Sequence, residues 1–237
     1  MMEADKILNT SLLVCNGANA VICEVEFYFS DEIHLDPFNH KDKDQLTNGC
    51  WYFHKKNGGK YSNGNYKGLD ITFGDIEKKI YAGILIRSIR VGDLIVEGPC
   101  KVVNWILENS GVTSIDELVS QFNSVPGSIR EEILHLKKCE DRGNKITASP
   151  RFGLTLNKTK DVNDPRLKYI FKPYRFTTIK LKNGKAVLSL SSGDFSNKKW
   201  FESYQLGKSK GISYFLQNSN LKTVALQCEA YGFFENF

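Results

Sequence analysis

At 237 residues, with 41% hydrophobic, 25% charged and 12% aromatic side chains, the chain has the composition of a folded protein rather than of a disordered or low-complexity segment. Its net charge of +5 permits a polyanionic partner, yet no run of five lysines or arginines forms a basic tail, so any basic surface has to be assembled by folding. Six scattered cysteines with no C-x-x-C pair argue against a structural zinc site. With no leader and no membrane-length apolar run, they point to a soluble intracellular protein, nuclear or cytoplasmic, that makes no membrane contact.

In chain order, residues 10 to 30 predict two strands around the turn signal Asn16-Gly17-Ala18-Asn19, the second strand carrying Glu24, Glu26 and Tyr28 on one face. Residues 31 to 64 are polar and glycine-rich but hold Phe38, Trp51, Tyr52, Phe53 and Tyr61, and loops with that many aromatics are commonly functional. Leu69 to Phe73 and Ala82 to Ile89 predict strands, the second passing through Arg87. Cys100 to Asn109 predicts a helix stopped at Gly111, and the capping-box pairs Ser114 with Glu117 and Ser128 with Glu131 predict helices near 115 to 123 and 129 to 140. Strands resume at Arg151 to Leu156 and Tyr169 to Phe171, and Lys182-Asn183-Gly184 predicts a later hairpin turn. Strands, then helices, then strands is an α+β order. Neither a dinucleotide nor a phosphate-loop glycine motif is present.

Glu26 stands out chemically. A carboxylate on a strand inside apolar flanks either pairs with a cation or builds a site, and Arg87 is the partner for the first and a water- or phosphate-positioning group for the second. Glu24 shares its face. His40 can donate, accept or stack near neutral pH, whereas His34, His54 and His135 read as ordinary surface or core histidines. The Trp51-Tyr52-Phe53 run reads as core. Tyr61 and Tyr66, flanked by Lys60 and Lys67 and several glycines, suit a surface on which bases stack, worth about 1–3 kcal/mol per base.

Together these elements resemble the alkyladenine (3-methyladenine) DNA glycosylases of the mammalian type. Cys23-Glu24-Val25-Glu26-Phe27-Tyr28 is similar to that family's Val-Glu-Thr-Glu-Ala-Tyr strand, and His40 falls at the spacing of its loop histidine. Thr47, the turn from Gly49 to Phe53, Ile84-Leu85-Ile86-Arg87 and Gly98-Pro99 follow in order. Pro150-Arg151-Phe152-Gly153 and Lys172-Pro173-Tyr174-Arg175-Phe176 resemble the closing elements. The likeness spans residues 8 to 176.

The resemblance implies a single compact α+β domain over residues 1 to 176, with a curved antiparallel sheet like the C-terminal domain of a formyltransferase and peripheral helices. Residues 177 to 237 would add a β-rich extension. It implies a monofunctional hydrolase, without cofactor or metal, acting as a monomer on double-stranded DNA that contains a damaged base. Glu26 would activate water for attack at the sugar C1′ and Arg87 would position that water. Tyr28, His40 and Tyr61 would line the base pocket, Tyr66 would be the wedge, and Lys60, Lys67 and Arg151 would bind DNA. The family's alternating tyrosines are replaced here by Tyr61-Ser62-Asn63-Gly64-Asn65-Tyr66-Lys67-Gly68, and its pocket-floor asparagine has only Thr72 and Gly74 nearby. Two other readings stand beside this one: a nucleic-acid-binding module without activity, and an N-glycoside hydrolase acting on another nucleoside or on RNA.

Overall fold

The computed structural model describes residues 2–56, 59–154, 165–170, 172–179, 202 and 206–207. In chain order the elements are α1 (Met2–Thr10), β1 (Ser11–Cys15), β2 (Ala18–Ser30), β3 (Asn48–Phe53), β4 (Leu69–Phe73), β5 (Tyr81–Val91), β6 (Leu94–Glu97), α2 (Pro99–Ser110), α3 (Ile115–Val119), β7 (Leu134–Lys138), β8 (Thr147–Ser149), α4 (Pro165–Tyr169) and β9 (Arg175–Thr177). They fall into two compact units, Met1–Leu35 with Asn39–Ile146, and Asp36–Phe38 with Thr147–Phe237.

The first unit is built on an antiparallel sheet in the order β3-β4-β5-β2-β1-β7. The β1–β2 hairpin turns through Asn16 at φ 47° and Gly17 at φ 83°, a left-handed pair that a two-residue hairpin loop demands and that asparagine and glycine tolerate. β5 is long enough to serve several partners: it pairs with β2 along one side and, along the other, with β4 near Leu85 and with β6 near Ile89. Pairing between β2 and β5 slips on both sides of Glu24, and irregularities of this kind bend and twist a sheet. The sheet is therefore curled.

Its apolar face packs against α2, whose Val102, Val103 and Ile106 are buried with Val25, Ile84, Ile86 and Ile89. α2 begins with Pro99 and ends at Gly111, where φ 71° lets the cap amide reach back to the carbonyls of Glu108 and Leu107. α3 opens on the expected capping box, with Ser114 Oγ accepting from the Glu117 amide and Glu117 returning to the Ser114 amide. The α+β architecture is thus present, with helices at the periphery of an antiparallel sheet.

Three expected elements are corrected. Residues 129 to 140 form no helix: the Glu131 carboxylate accepts from the Ser128 amide at 3.0 Å but also from the Asn123 amide at 3.0 Å, closing a turn. Beyond it Leu134, His135 and Leu136 pair with β1 as β7. Next, the strand expected from Arg151 lies earlier, at β8, which pairs with β9 in the second unit. Finally, Tyr169, expected in a strand, ends helix α4. The N-terminal helix α1, buried through Ala4, Ile7 and Leu8, was not anticipated.

The turn at Lys182-Asn183-Gly184, the aromatics Trp200, Phe201, Tyr204, Tyr214, Phe215 and Tyr231 to Phe234, and the lysines at 198, 199, 208 and 210 lie outside the described residues. Among the described residues no helix is long and apolar enough to cross a membrane.

Candidate active site on the polar face of the sheet

One face of the first unit's sheet carries buried polar side chains instead of a second apolar layer. Cross-strand register fixes the arrangement, because directly opposed residues share a face. Tyr52 opposes Asp70, Asp70 opposes Leu85, and Leu85 opposes Glu26. The next row holds Thr72, Gly83 and Tyr28. The two rows end in chemically different clusters.

At the β2 end, Glu26 is fully buried at 0% exposure and its Oε2 receives both the Tyr28 hydroxyl at 2.9 Å and the Arg87 Nη1 at 3.0 Å. The Arg87 Nε lies 3.4 Å from Glu24 Oε1, and the Ser88 hydroxyl donates to Glu24 Oε2 at 2.6 Å. One guanidinium thus serves two carboxylates, a match for its planar fork of donors. Burial alone would lower the Arg87 pKa, but the Glu26 and Glu24 charges outweigh it and hold that pKa above its ordinary value. Glu26, Arg87 and Tyr28, anticipated together, are brought together.

At the β3 end the face is imidazole-rich. The His54 Nε2 donates to Asp70 Oδ1 at 2.8 Å, and the buried Gln45 reaches Asp70 Oδ2 at 3.5 Å. Gln45 is set there by a short 3-10 turn, Lys43–Leu46, whose capping box joins Asp42 and Gln45 reciprocally. The His40 ring stands 4.5 Å from the His54 ring, nearly perpendicular, and its Nδ1 is 3.2 Å from the Tyr52 hydroxyl. Crowding by surrounding protein and then the adjacent His54 lower the His40 pKa, with Asp70 and Asp42 opposing in part. Burial and then the Asp42 and Asp70 charges raise that of Tyr52, which stays a neutral phenol. Lys55 bonds Asp44, lies 3.6 Å from Asp42, and stands 5.9 Å from the Tyr52 ring centre.

Two glycines make this packing possible. A Cβ on Gly83 would stand 2.5 Å from Asp70 Oδ2, and one on Gly68 would stand 2.5 Å from the His54 Nδ1. The space over the Gly83 backbone, beside Tyr28, is taken by the Asp70 carboxylate and the Gln45 amide.

Over 192 aligned residues the chain is 36% identical to an uncharacterized protein of Acanthamoeba polyphaga mimivirus, an alignment that takes in 75% of this chain and 84% of the viral protein. The chain belongs to that protein's family. No family model matches it.

In this member of the family Tyr61 meets the β3 end through Lys55, whose Nζ stands 5.9 Å from the Tyr61 ring centre, and the other anticipated residues lie away from the polar face. Tyr61 packs edge-on against Phe53 at 6.3 Å, and Phe53 alternates with Tyr52 and so points to the apolar face. With Lys60 and Lys67, Tyr61 lines an open cavity of about 460 Å³ whose lining also includes Leu107, Thr113 and Ile115. Tyr66, on the 3-10 turn Gly64–Tyr66, is 77% exposed, and Lys60 is exposed beside it. Arg151 requires a correction as a DNA contact. Its side chain is wholly buried, bonded to both oxygens of Asp36 at 2.6 and 3.1 Å, with its guanidinium 5.5 Å from the Phe38 ring and 5.4 Å from that of Tyr174. A cation committed in this way inside the second unit has no access to a phosphate.

The residues missed were His54, Asp70, Gln45 and Tyr52. A signal existed for the first two. Tyr52 and His54 are two apart and share a strand face, and an aspartate between Leu69 and Ile71 in an apolar strand is as conspicuous as Glu26.

Proposed function

We propose that the chain is a DNA glycosylase of the alkyladenine type, hydrolysing the N-glycosidic bond of a damaged or modified purine flipped out of duplex DNA. The observation that carries this reading is the convergence of Arg87 and Tyr28 on one oxygen of Glu26. Glycoside hydrolysis needs a held water, compensation of the positive charge that develops at the sugar, and help for the departing base. Glu26 takes the water proton and faces the developing cation. Arg87 fixes the carboxylate, and with it the water. Tyr28 combines a hydrogen bond to Glu26 with an aromatic face for the extruded base, whose removal from the stack costs a few kcal/mol. Exposed Tyr66 with Lys60 suits a wedge and a phosphate contact.

A second reading is favoured by the zero exposure of Glu26. A carboxylate sealed by an arginine is also what a structural ion pair in a sheet looks like, and on that reading the chain is a nucleic-acid-binding module without hydrolysis. The separating measurement is base release from duplexes carrying a panel of alkylated and deaminated purines, by wild type and by Glu26→Gln. Release abolished by the substitution supports the enzyme. DNA binding that falls with salt and is the same in both proteins, with no release from any lesion, establishes the module instead.

A further inference from the structure

We infer that the open cavity between the Tyr61 loop and the α2–α3 connection binds a free nucleoside 5′-monophosphate, with its phosphate on the loop and its ring against Leu107 and Ile115. At about 460 Å³ the cavity falls within the ~300–1,000 Å³ common for small-molecule sites, and all of its lining residues belong to the first unit. Neither Glu26 nor Arg87 lines it, so this site stands or falls independently of the glycosylase reading.

The loop wall is a set of donors without acceptors. Ser62 is only 6% exposed and lines the cavity, yet its hydroxyl has no hydrogen-bond partner among the described residues. Leaving a buried hydroxyl unpaired is unfavourable, and a ligand oxygen would satisfy it. Lys60 and Lys67 lie on the same wall, and neither forms an ion pair among the described residues. The Asn63 side-chain oxygen accepts from the Lys56 Nζ at 2.8 Å, which leaves its amide NH₂ to donate. Burial raises the Tyr61 pKa, with Lys55 opposing and Asp44 and Asp116 adding to the rise, so the phenol keeps its proton and does not repel an anion. Uncommitted cations beside hydroxyl and amide donors are the make-up of a phosphate site.

This wall is fixed before any ligand arrives. The Ser62 amide donates to the His54 carbonyl at 2.7 Å, the His54 amide donates to the Gly68 carbonyl at 3.0 Å, and the Cys100 thiol reaches the Gly64 carbonyl at 3.0 Å. A loop ordered in advance does not have to be ordered on binding.

The helical wall has the opposite chemistry. Thr113 donates to Glu117 through its amide and its hydroxyl, and the Ser114 hydroxyl oxygen takes the Glu117 amide, so these groups are engaged within the capping box. What remains is the apolar surface of Leu107 and Ile115, and the exposed carboxylate of Asp116. With the Tyr61 ring, the two aliphatic residues receive a flat ring, and Asp116, which only accepts, takes a ribose hydroxyl. Glu108 and Glu117 are also exposed on this side, and the further phosphates of a nucleic-acid strand would meet their charge. A free nucleotide carries no such phosphates.

The experiment is calorimetric titration of the full chain with adenosine 5′-monophosphate, adenosine, inorganic phosphate and a short 5′-phosphorylated oligonucleotide, with each variant checked by thermal melting. The monophosphate is expected to bind wild type at least about 10-fold more tightly than either adenosine or phosphate, because only it engages both walls. Lys67→Gln and Ser62→Ala should each weaken it by about 5- to 10-fold. Asp116→Ala should weaken the monophosphate by about 3-fold without weakening inorganic phosphate, and Glu26→Gln should change neither. Phosphate binding as tightly as the monophosphate would reduce the cavity to a patch of positive charge and overturn the assignment. So would affinities unchanged in Lys67→Gln and Ser62→Ala, or no binding of the monophosphate at millimolar concentration. Tighter binding of the oligonucleotide, lost in the same two variants, would make the occupant the end of a strand and overturn the free nucleotide. None of these outcomes bears on base release by Glu26.

Discussion

The two ends of the polar face differ in one physical respect, access to water, and that difference sorts their chemistry. At the β2 end Glu24, Glu26, Ser88 and Arg87 are all buried and mutually bonded, so charge there is fixed by pairing. At the β3 end only Asp70, Gln45 and Tyr52 are sealed, while His54 is half-buried and His40 reaches solvent. A buried ion pair holds its geometry and resists titration; an imidazole at a rim exchanges protons near neutral pH. A single sheet face can therefore offer a rigid electrostatic end and a proton-exchanging end.

The sharpest way to break this contrast is to remove the shared cation. Arg87→Met leaves two buried carboxylates without their common partner, and breaking a buried pair from one side typically costs about 3–5 kcal/mol. We expect a loss of that order in urea unfolding, against less than about 1.5 kcal/mol for His54→Gln, whose rim position lets water replace the lost bond. Equal losses would mean that the two ends are equally dry.

A slightly smaller effect is expected at Gly83. Gly83→Ala places a methyl carbon 2.5 Å from Asp70 Oδ2 and 3.1 Å from Gln45 Nε2, so the aspartate must shift. Overpacking of this kind costs about 1–3 kcal/mol. The diagnostic readout is the histidine region of the proton NMR spectrum: His54 resonances should move and the Arg87 Nε–H signal should not. Movement of both would show that the residues around Gly83 couple the clusters rather than separating them.

Much of this arrangement was legible in the sequence where local chemistry decides structure. Asn16-Gly17, Gly111 and the Ser114 with Glu117 box each encode a backbone conformation within a few residues, and each is realised. The convergence of Glu26, Tyr28 and Arg87 was readable because strand periodicity is local too. What failed depends on distant partners. Ser128 with Glu131 carries the same local signal as Ser114 with Glu117, yet pairing with β1 makes the following residues a strand. Arg151 has the sequence of a surface cation, and only Asp36, 115 residues away, buries it. His54 looked ordinary because its significance resides in Asp70, on the neighbouring strand.

A Lys55→Met substitution probes the imidazole end from behind. It leaves Asp44 and Asp42 without their cation but near the surface, where exposed or half-buried pairs are worth at most about 1 kcal/mol. Its expected signature is electrostatic. Losing one positive charge beside Asp42 and Tyr52 should raise the His40 pKa, measured by NMR titration, with little change in melting temperature. A fall in that pKa would mean that Lys55 acts on His40 through packing.

The smallest expected effect is a pH dependence. Because the His40 pKa is lowered in the folded state, the unfolded chain binds the proton more readily, and stability rises with pH wherever the unfolded state holds more protons. The stabilising form is the neutral ring. Its contribution is fully present above the ordinary histidine value of about 6.5 and is lost as pH falls from there toward the lowered folded value. Unfolding midpoints measured from pH 8 to pH 5 should therefore decline on the acid side, and His40→Gln should flatten that decline. The ring's exposed edge keeps the effect small. A midpoint that instead rises toward pH 5 would mean that Asp42 and Asp70 dominate the field at His40, making the β3 end a site that holds its proton rather than one that gives it up.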